Sequence, residues 1–460
     1  MHAPGRTPSG ARSGRGSPLP ARRRRRLATA LAVVALGSAT ACSASASPLP
    51  LAVASIAVDP ASASPTDRAI AASQARLQAN LQDDGARLDL ATGVLQKARE
   101  TADPSLYARA DALLAVLAQR QPKDGRVLIL RAVLALARHQ FAKGRTLAVA
   151  ATVALPGNPA ALAALVDALT ELGRVEEASA VTQQLLDVRP ALPALTRASY
   201  ARELRGDLTG AALAMQQATV AGAGEAPENV AFAQVQFGHL LLASGDRRGA
   251  DAAYAAALTT FPASIPAKAG QARSLVAAGR PGDAAEVLAA LVDAQPLAEY
   301  AIALGDALAG AGRAAEANKA YERVDAIQAL AKANGIDVDL ELAGFDAERR
   351  PGDATVALAR KGFATHPSLY GHDVVAWNLF RAGNAKAAKA ESLLAIRLGW
   401  RDPAVRYHAA EIDLALGDRA GAAEQLRVVA STNPRFSAAH AADVERLGAE
   451  LGVIIPPPMR

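Results

Sequence analysis

A turn residue returns along this chain at Ser105, His139, Gly173, Gly206, Gly245, Gly279, Gly312, Arg349, Gly383 and Gly417. The successive spacings are 34, 34, 33, 39, 34, 33, 37, 34 and 34 residues. Five places after each turn stands a small residue: Ala110, Gly144, Ala178, Ala211, Ala250, Ala284, Ala317, Ala354, Ala388 and Ala422. Seven places before it the residue is again small in most cases (Ala98, Ala132, Ser199, Gly238, Ala272, Gly305, Ala376, Ala410), with Val166 and Leu342 as exceptions. Pro122, Pro156, Pro190, Pro262, Pro296 and Pro434 fall seventeen places after their turns, and Pro367 falls one place late. Each feature has a mechanical reason. Glycine ends a helix in a left-handed cap that other residues adopt at a cost. Paired small residues let two helices approach closely. Proline stops the second helix. A hairpin of this kind cannot bury its own apolar face and must stack on its neighbours.

This register resembles the tetratricopeptide repeat (TPR) over roughly residues 90 to 436. The clearest unit runs from Phe237-Gly238 through Leu241, Gly245, Ala250, Tyr254 and Ala257 to Pro262. The opening Trp of the family is missing, and Ser105, His139 and Arg349 stand where it has Gly. The resemblance implies an all-α, right-handed superhelical solenoid of about ten helix-turn-helix repeats. Two insertions, residues 221–229 and the segment around Asn334-Gly335, lengthen inter-repeat loops. We expect a capping helix within 67–90, the solenoid over 91–435, and a C-terminal capping helix and tail over 436–460.

Charge points elsewhere at first sight. The net charge is +6, but eight of the 50 basic residues lie in 1–41, which has no acidic residue. The remainder carries 42 basic against 44 acidic groups. No basic patch with interleaved aromatics is left, so no nucleic-acid partner is expected. Residues 1–41 read as a signal peptide: basic up to Arg26, apolar from Leu27 to Leu36, then small residues up to Ala41. Cys42 is the only cysteine, which excludes an intramolecular disulfide. Ala39-Thr40-Ala41-Cys42 resembles a bacterial lipobox, implying lipidation at Cys42 and a membrane-anchored extracytoplasmic lipoprotein. The same residues also satisfy small-x-small signal cleavage, which would leave a soluble secreted protein. The Ser/Ala/Pro-rich stretch 42–66 is expected to be a flexible tether.

The chain shows no phosphate loop, no HExxH, no G-x-S-x-G and no strand-borne G-x-G-x-x-G. His366, His372 and His408 lack ligand-pair spacing and are expected as solvated or core histidines, so no catalytic site, metal or cofactor is expected. The aromatic residues are unevenly placed: six of seventeen fall between Phe363 and Tyr407. Counting the turn as position 15, the TPR resemblance implies that positions 2, 5, 9, 12 and 13 of each first helix line the concave groove. In the Gly383 repeat these are Tyr370, Asp373, Trp377, Phe380 and Arg381, and in the Gly417 repeat they include Tyr407 and Glu411. Trp, Tyr and Arg are the commonest interface anchors. The expected function is a scaffold that holds a protein or peptide partner within a cell-envelope complex. The alternative is a receptor for a small molecule or glycan that stacks on the same aromatics.

Overall fold

The computed structural model describes residues 56–58 and 64–460, so the leader and Cys42 lie outside the described residues. All regular structure among them is helical. Ten hairpins follow one another, each made of a helix A and a helix B. Repeats 1 to 5 pair Asp84–Thr101 with Ser105–Arg120, Gly125–Ala137 with Phe141–Ala154, Pro159–Glu171 with Val175–Val188, Leu192–Glu203 with Leu208–Ala221, and Pro227–Ala243 with Arg247–Thr260. Repeats 6 to 10 pair Ile265–Ala277 with Pro281–Ala294, Ala298–Gly310 with Ala314–Ala333, Asp339–Arg349 with Asp353–Thr365, Leu369–Arg381 with Ala385–Ala395, and Pro403–Ala415 with Arg419–Ser431. Helix Pro65–Ala79 precedes the stack and helix Ala441–Leu451 follows it. Ile56 is buried against the first of these, and its carbonyl accepts from Gln74 Nε2 at 3.2 Å.

Local chemistry sets the helix boundaries. Asp124, Asn158, Asp207, Asp246, Ser264, Asn384 and Asp418 each cap a helix by accepting a first-turn backbone N–H. Such a cap contributes about 1 kcal/mol. Seven of the expected turn glycines, Gly173 to Gly417, have φ between +67° and +86°. His139 adopts the same conformation with φ +56°. The other two expected turn residues are displaced. Ser105 opens a helix, and Ala102 at φ +46° makes the turn. Arg349 is the last residue of its helix, and the positive φ falls on Gly352.

The small positions do more than face each other. The Tyr254 ring is fully buried between two helices A, against Gly238 of its own repeat and Gly270 of the next. A Cβ on Gly270 would lie 2.5 Å from Tyr254 Cε1, and one on Gly238 would overlap the same ring. Gly305 makes the equivalent room for Tyr321.

The superhelix closes on itself, with repeats 2, 3 and 4 meeting the loops that open repeats 8, 9 and 10. Asp337 N–H donates to Arg138 O at 3.0 Å, and Gln140 Nε2 donates to Gly335 O at 3.3 Å. The insertion around Asn334-Gly335 thus supplies the first of these contacts. Gly173 lies against Pro367 O, and Gly206 against Gly399 O. Leu204 shares an apolar cluster with Leu369, Ala395, Trp400 and Val405.

Candidate binding groove

Helix A of repeat 9 is capped by Ser368, whose hydroxyl accepts from Gly371 N at 3.1 Å. Helix A of repeat 10 starts on Pro403 after Asp402, whose carboxylate accepts from Ala404 N at 2.9 Å and Val405 N at 3.1 Å. These caps fix the two helices in register, so Trp377 meets Tyr407 and His408 of the next repeat. The Trp377 ring stacks on His408 at 4.1 Å and 13°, and lies 5.2 Å from Phe380 and 6.1 Å from Tyr407. The Arg381 guanidinium sits 5.6 Å from the centre of the Trp377 ring.

Glu348, near the end of helix A of repeat 8, ties this cluster together. It accepts from Trp377 Nε1 at 2.7 Å and pairs with Arg381. Asp373 is buried and lies 3.0 Å from His408 Nδ1. Burial works against protonating His408, but the facing Asp373 outweighs it and raises the imidazole above its usual value. Tyr407 O–H donates to Glu411 Oε1 at 3.3 Å, and Arg446 Nη2 donates to the same oxygen at 3.3 Å.

The seven expected groove residues therefore fall in one region but differ in access. Tyr370 is 38% exposed, whereas Trp377 and Tyr407 are each 4% exposed. Part of the cover over Tyr407 comes from the chain itself: Phe436 and His440 lie 5.7 and 5.1 Å from its ring. The three histidines each face one carboxylate. His366 lies 2.7 Å from Glu171, His372 lies 2.7 Å from Glu391, and His408 faces Asp373. Among the described residues no group of three or more His, Cys, Asp or Glu side chains could hold a metal ion.

Further residues at the same repeat positions escaped the sequence reading. Tyr200 is 39% exposed, and Glu203 stands one turn further along the same helix. Burial, with Asp402 nearby, pushes the Glu203 carboxyl up to about 7. Asp306 accepts from Tyr321 O–H at 2.8 Å and from Ser437 Oγ at 3.0 Å. A signal for these existed. Position 9 reads Asp167, Tyr200, His239, Arg273, Asp306, Trp377 and Glu411 in repeats 3 to 7, 9 and 10, a polar and aromatic column wider than the C-terminal pair of repeats.

No family model and no curated protein matches the chain. Solved structures do. A thermophilic TPR protein from Thermus thermophilus is 20% identical, covering 40% of this chain and 99% of its own, with a TM-score of 0.36. A tetratricopeptide repeat protein from Parabacteroides merdae is 13% identical over 72% of this chain and 99% of its own, with a TM-score of 0.31. Yeast Tom70 is 12% identical over 79% of this chain and 96% of its own, with a TM-score of 0.31. The likeness is distant and partial, to TPR-repeat proteins, and the fold itself rests on the hairpins described above.

Proposed function

We propose that this chain is a binding scaffold whose concave face at repeats 9 and 10 receives a ligand, with Tyr370, Asp373, Trp377, Phe380, Arg381, Tyr407 and Glu411 as its site. The supporting observation is the ring cluster of Trp377, Phe380, Tyr407 and His408 beside the Arg381–Glu348 pair. A stack of helical hairpins is suited to protein–protein contacts, because its curved face offers many residues to an extended partner. The second reading is a receptor for a small molecule or glycan. The stacked rings speak more for that reading than for a place in an envelope assembly, since planar rings also receive sugars and flat ligands.

One experiment separates them. Thermal melts of the whole chain are run against an oligosaccharide and small-molecule panel and against a peptide panel. A true ligand at a hundred times its Kd stabilises by about 2.7 kcal/mol. Tyr370→Ala, which removes an accessible ring, is expected to abolish the stabilisation while leaving the unliganded melt nearly unchanged. A ligand shift that survives Tyr370→Ala and Arg381→Ala together refutes this site.

The proposal includes export and lipid anchoring through Cys42, with a soluble secreted form as the alternative. No helix among the described residues is long and apolar enough to cross a membrane. Cys42→Ser is expected to move the protein from membranes to the soluble extracytoplasmic fraction. Identical fractionation of both forms refutes lipidation.

A further inference from the structure

Between helix B of repeat 10 and helix Ala441–Leu451 the chain is irregular, and it reaches helix A of repeat 7. Phe436 and His440 pack on Tyr407 of repeat 10. Ser437 Oγ donates to Asp306 Oδ2 of repeat 7 at 3.0 Å. Ala438 lies against Gly310, where a Cβ would sit 2.7 Å from both the Cβ and the carbonyl oxygen of Ala438. His440 Nε2 is 4.0 Å from Glu348, the residue that ties Trp377 and Arg381. Each of these four contacts is made with a residue of helix A in repeat 7, 8 or 10.

The segment is laid on this face rather than packed into it. Thr432 and Asn433 are buried, but every residue from Arg435 to His440 is only partly covered. It makes the contacts a bound peptide makes: an aromatic ring on an aromatic wall, a hydroxyl on a half-buried carboxylate, and backbone in a slot shaped by glycine. Outside the groove it is held at its flanks. Arg435 donates to Pro456 O at 3.0 Å and to Glu445 at 2.7 Å, and Met459 N–H donates to Ala277 O at 3.0 Å.

We propose that residues Arg435–His440 occupy, within the chain, a peptide-binding face formed by Asp306, Gly310, Glu348 and Tyr407. The partner is then an extended peptide with an aromatic residue followed directly by a hydroxyl residue, and it binds by displacing this segment. The inference rests on the groove reading above and adds the occupant and its chemistry. A segment joined to the fold at both ends acts at an effective concentration of about millimolar. It therefore outcompetes a free peptide of equal intrinsic affinity, and weakening its contacts opens the site.

The test uses a fluorescein-labelled peptide of residues 433–440 (Asn-Pro-Arg-Phe-Ser-Ala-Ala-His) and the full chain. Wild type and the double variant Phe436→Ala/Ser437→Ala are titrated by fluorescence anisotropy, after melts establish that both fold. The double variant is expected to bind the peptide at least about tenfold more tightly than wild type. Adding Asp306→Asn to the double variant should reduce that binding. Hydrogen exchange on wild type supplies a readout independent of the variants, since saturating unlabelled peptide should accelerate exchange across residues 435–440. Equal binding by both proteins, or no binding by either together with unchanged exchange, overturns the inference. If a panel ligand is still lost in Tyr370→Ala when the peptide fails, self-occupancy falls and the groove reading stands. If both fail, the groove reading falls with it.

Discussion

Replacing Gly270 by alanine would place a methyl group 2.5 Å from Cε1 and 2.6 Å from Cδ1 of Tyr254. Helix propensity alone favours the change by about 0.5–1 kcal/mol, since glycine costs that much inside a helix. The ring has no room to retreat, because Gly238 bounds it on the other side and the side chain is fully buried. Overpacking of this kind costs about 1–3 kcal/mol. A tilt of the ring would also loosen the hydrogen bond between Tyr254 O–H and His239 Nδ1, now 2.8 Å, for roughly another 0.5–1.5 kcal/mol. The clash and the lost bond outweigh the propensity gain, leaving a net loss of about 1–3 kcal/mol. Urea melts followed by circular dichroism measure it, as a lowered midpoint with an unchanged slope. Gly282→Ala is the control, because a Cβ there meets nothing within 4 Å. Tyr254→Leu in the Gly270→Ala background should recover part of the loss relative to the two single changes. If Gly270→Ala matches or exceeds wild-type stability, the tyrosine slot between adjacent repeats is misassigned.

Two further outcomes follow from the site. Trp377→Ala removes a ring that is 4% exposed and carries a hydrogen bond to Glu348, so a loss of about 3–5 kcal/mol is expected in the same melts. A loss under about 1 kcal/mol would mean that the ring is not part of the packed wall. Stability should also fall as pH rises from about 6.5 to 8. Glu203, raised to about 7 in the fold, is stabilising only while protonated, so its contribution is lost as the pH climbs from the unfolded carboxyl range through 7. His408 and His139 titrate above their usual values, because Asp373 and Glu341 outweigh burial. Their stabilisation is complete below the unfolded histidine value and is lost as pH rises through the folded one. Asp339 and Glu341, held low by lysine and histidine partners, are already ionised in this window, and His239, held well below its usual value by burial, adds an opposing rise only below about 6.5. Glu203→Gln should flatten the melting-temperature profile between about pH 6.5 and 8, and a wild-type profile that is flat or rising there refutes the assignment.

The repeat was legible because its markers are backbone requirements. Gly173 to Gly417 adopt the left-handed turn that the spacing of glycines implies, and any family of helical hairpins would need them there. The displaced turns at Ala102 and Gly352 were not legible. Ala102 is an unfavoured residue for that conformation, and the Arg349 repeat runs three residues past the period before it turns. At the site, the spacing placed Tyr370, Trp377 and Tyr407 on one face, yet it gave no measure of depth. Depth depends on Glu348, which carries no aromatic or turn signal, and on Phe436 and His440, which lie in an irregular segment with no period to read. Contacts across the superhelix, such as His366 with Glu171, join residues 195 positions apart and leave no local trace at all.

The turn glycines show how one residue type carries two separate constraints. Gly245, Gly312, Gly383 and Gly417 have open space where a Cβ would stand, so only their left-handed backbone demands glycine. Gly173 and Gly206 share that backbone, but there a Cβ would collide with Pro367 O and Gly399 O of the overlying loops. At these two positions the glycine both ends a helix and admits the next coil of the superhelix. That coil brings repeats 8 to 10 down onto the edge of repeats 2 to 4, so the concave face of this chain is narrowed by its own winding. Tyr200 and Glu203 from repeat 4 then share the charge environment of Asp402 from repeat 10, and the burial that raises the Glu203 carboxyl follows from this closure. In an open solenoid the same groove residues would be solvated on one side. In this chain Glu203 of repeat 4 lies in the field of Asp402 of repeat 10, and residues 435–440 cover part of repeats 7 and 10.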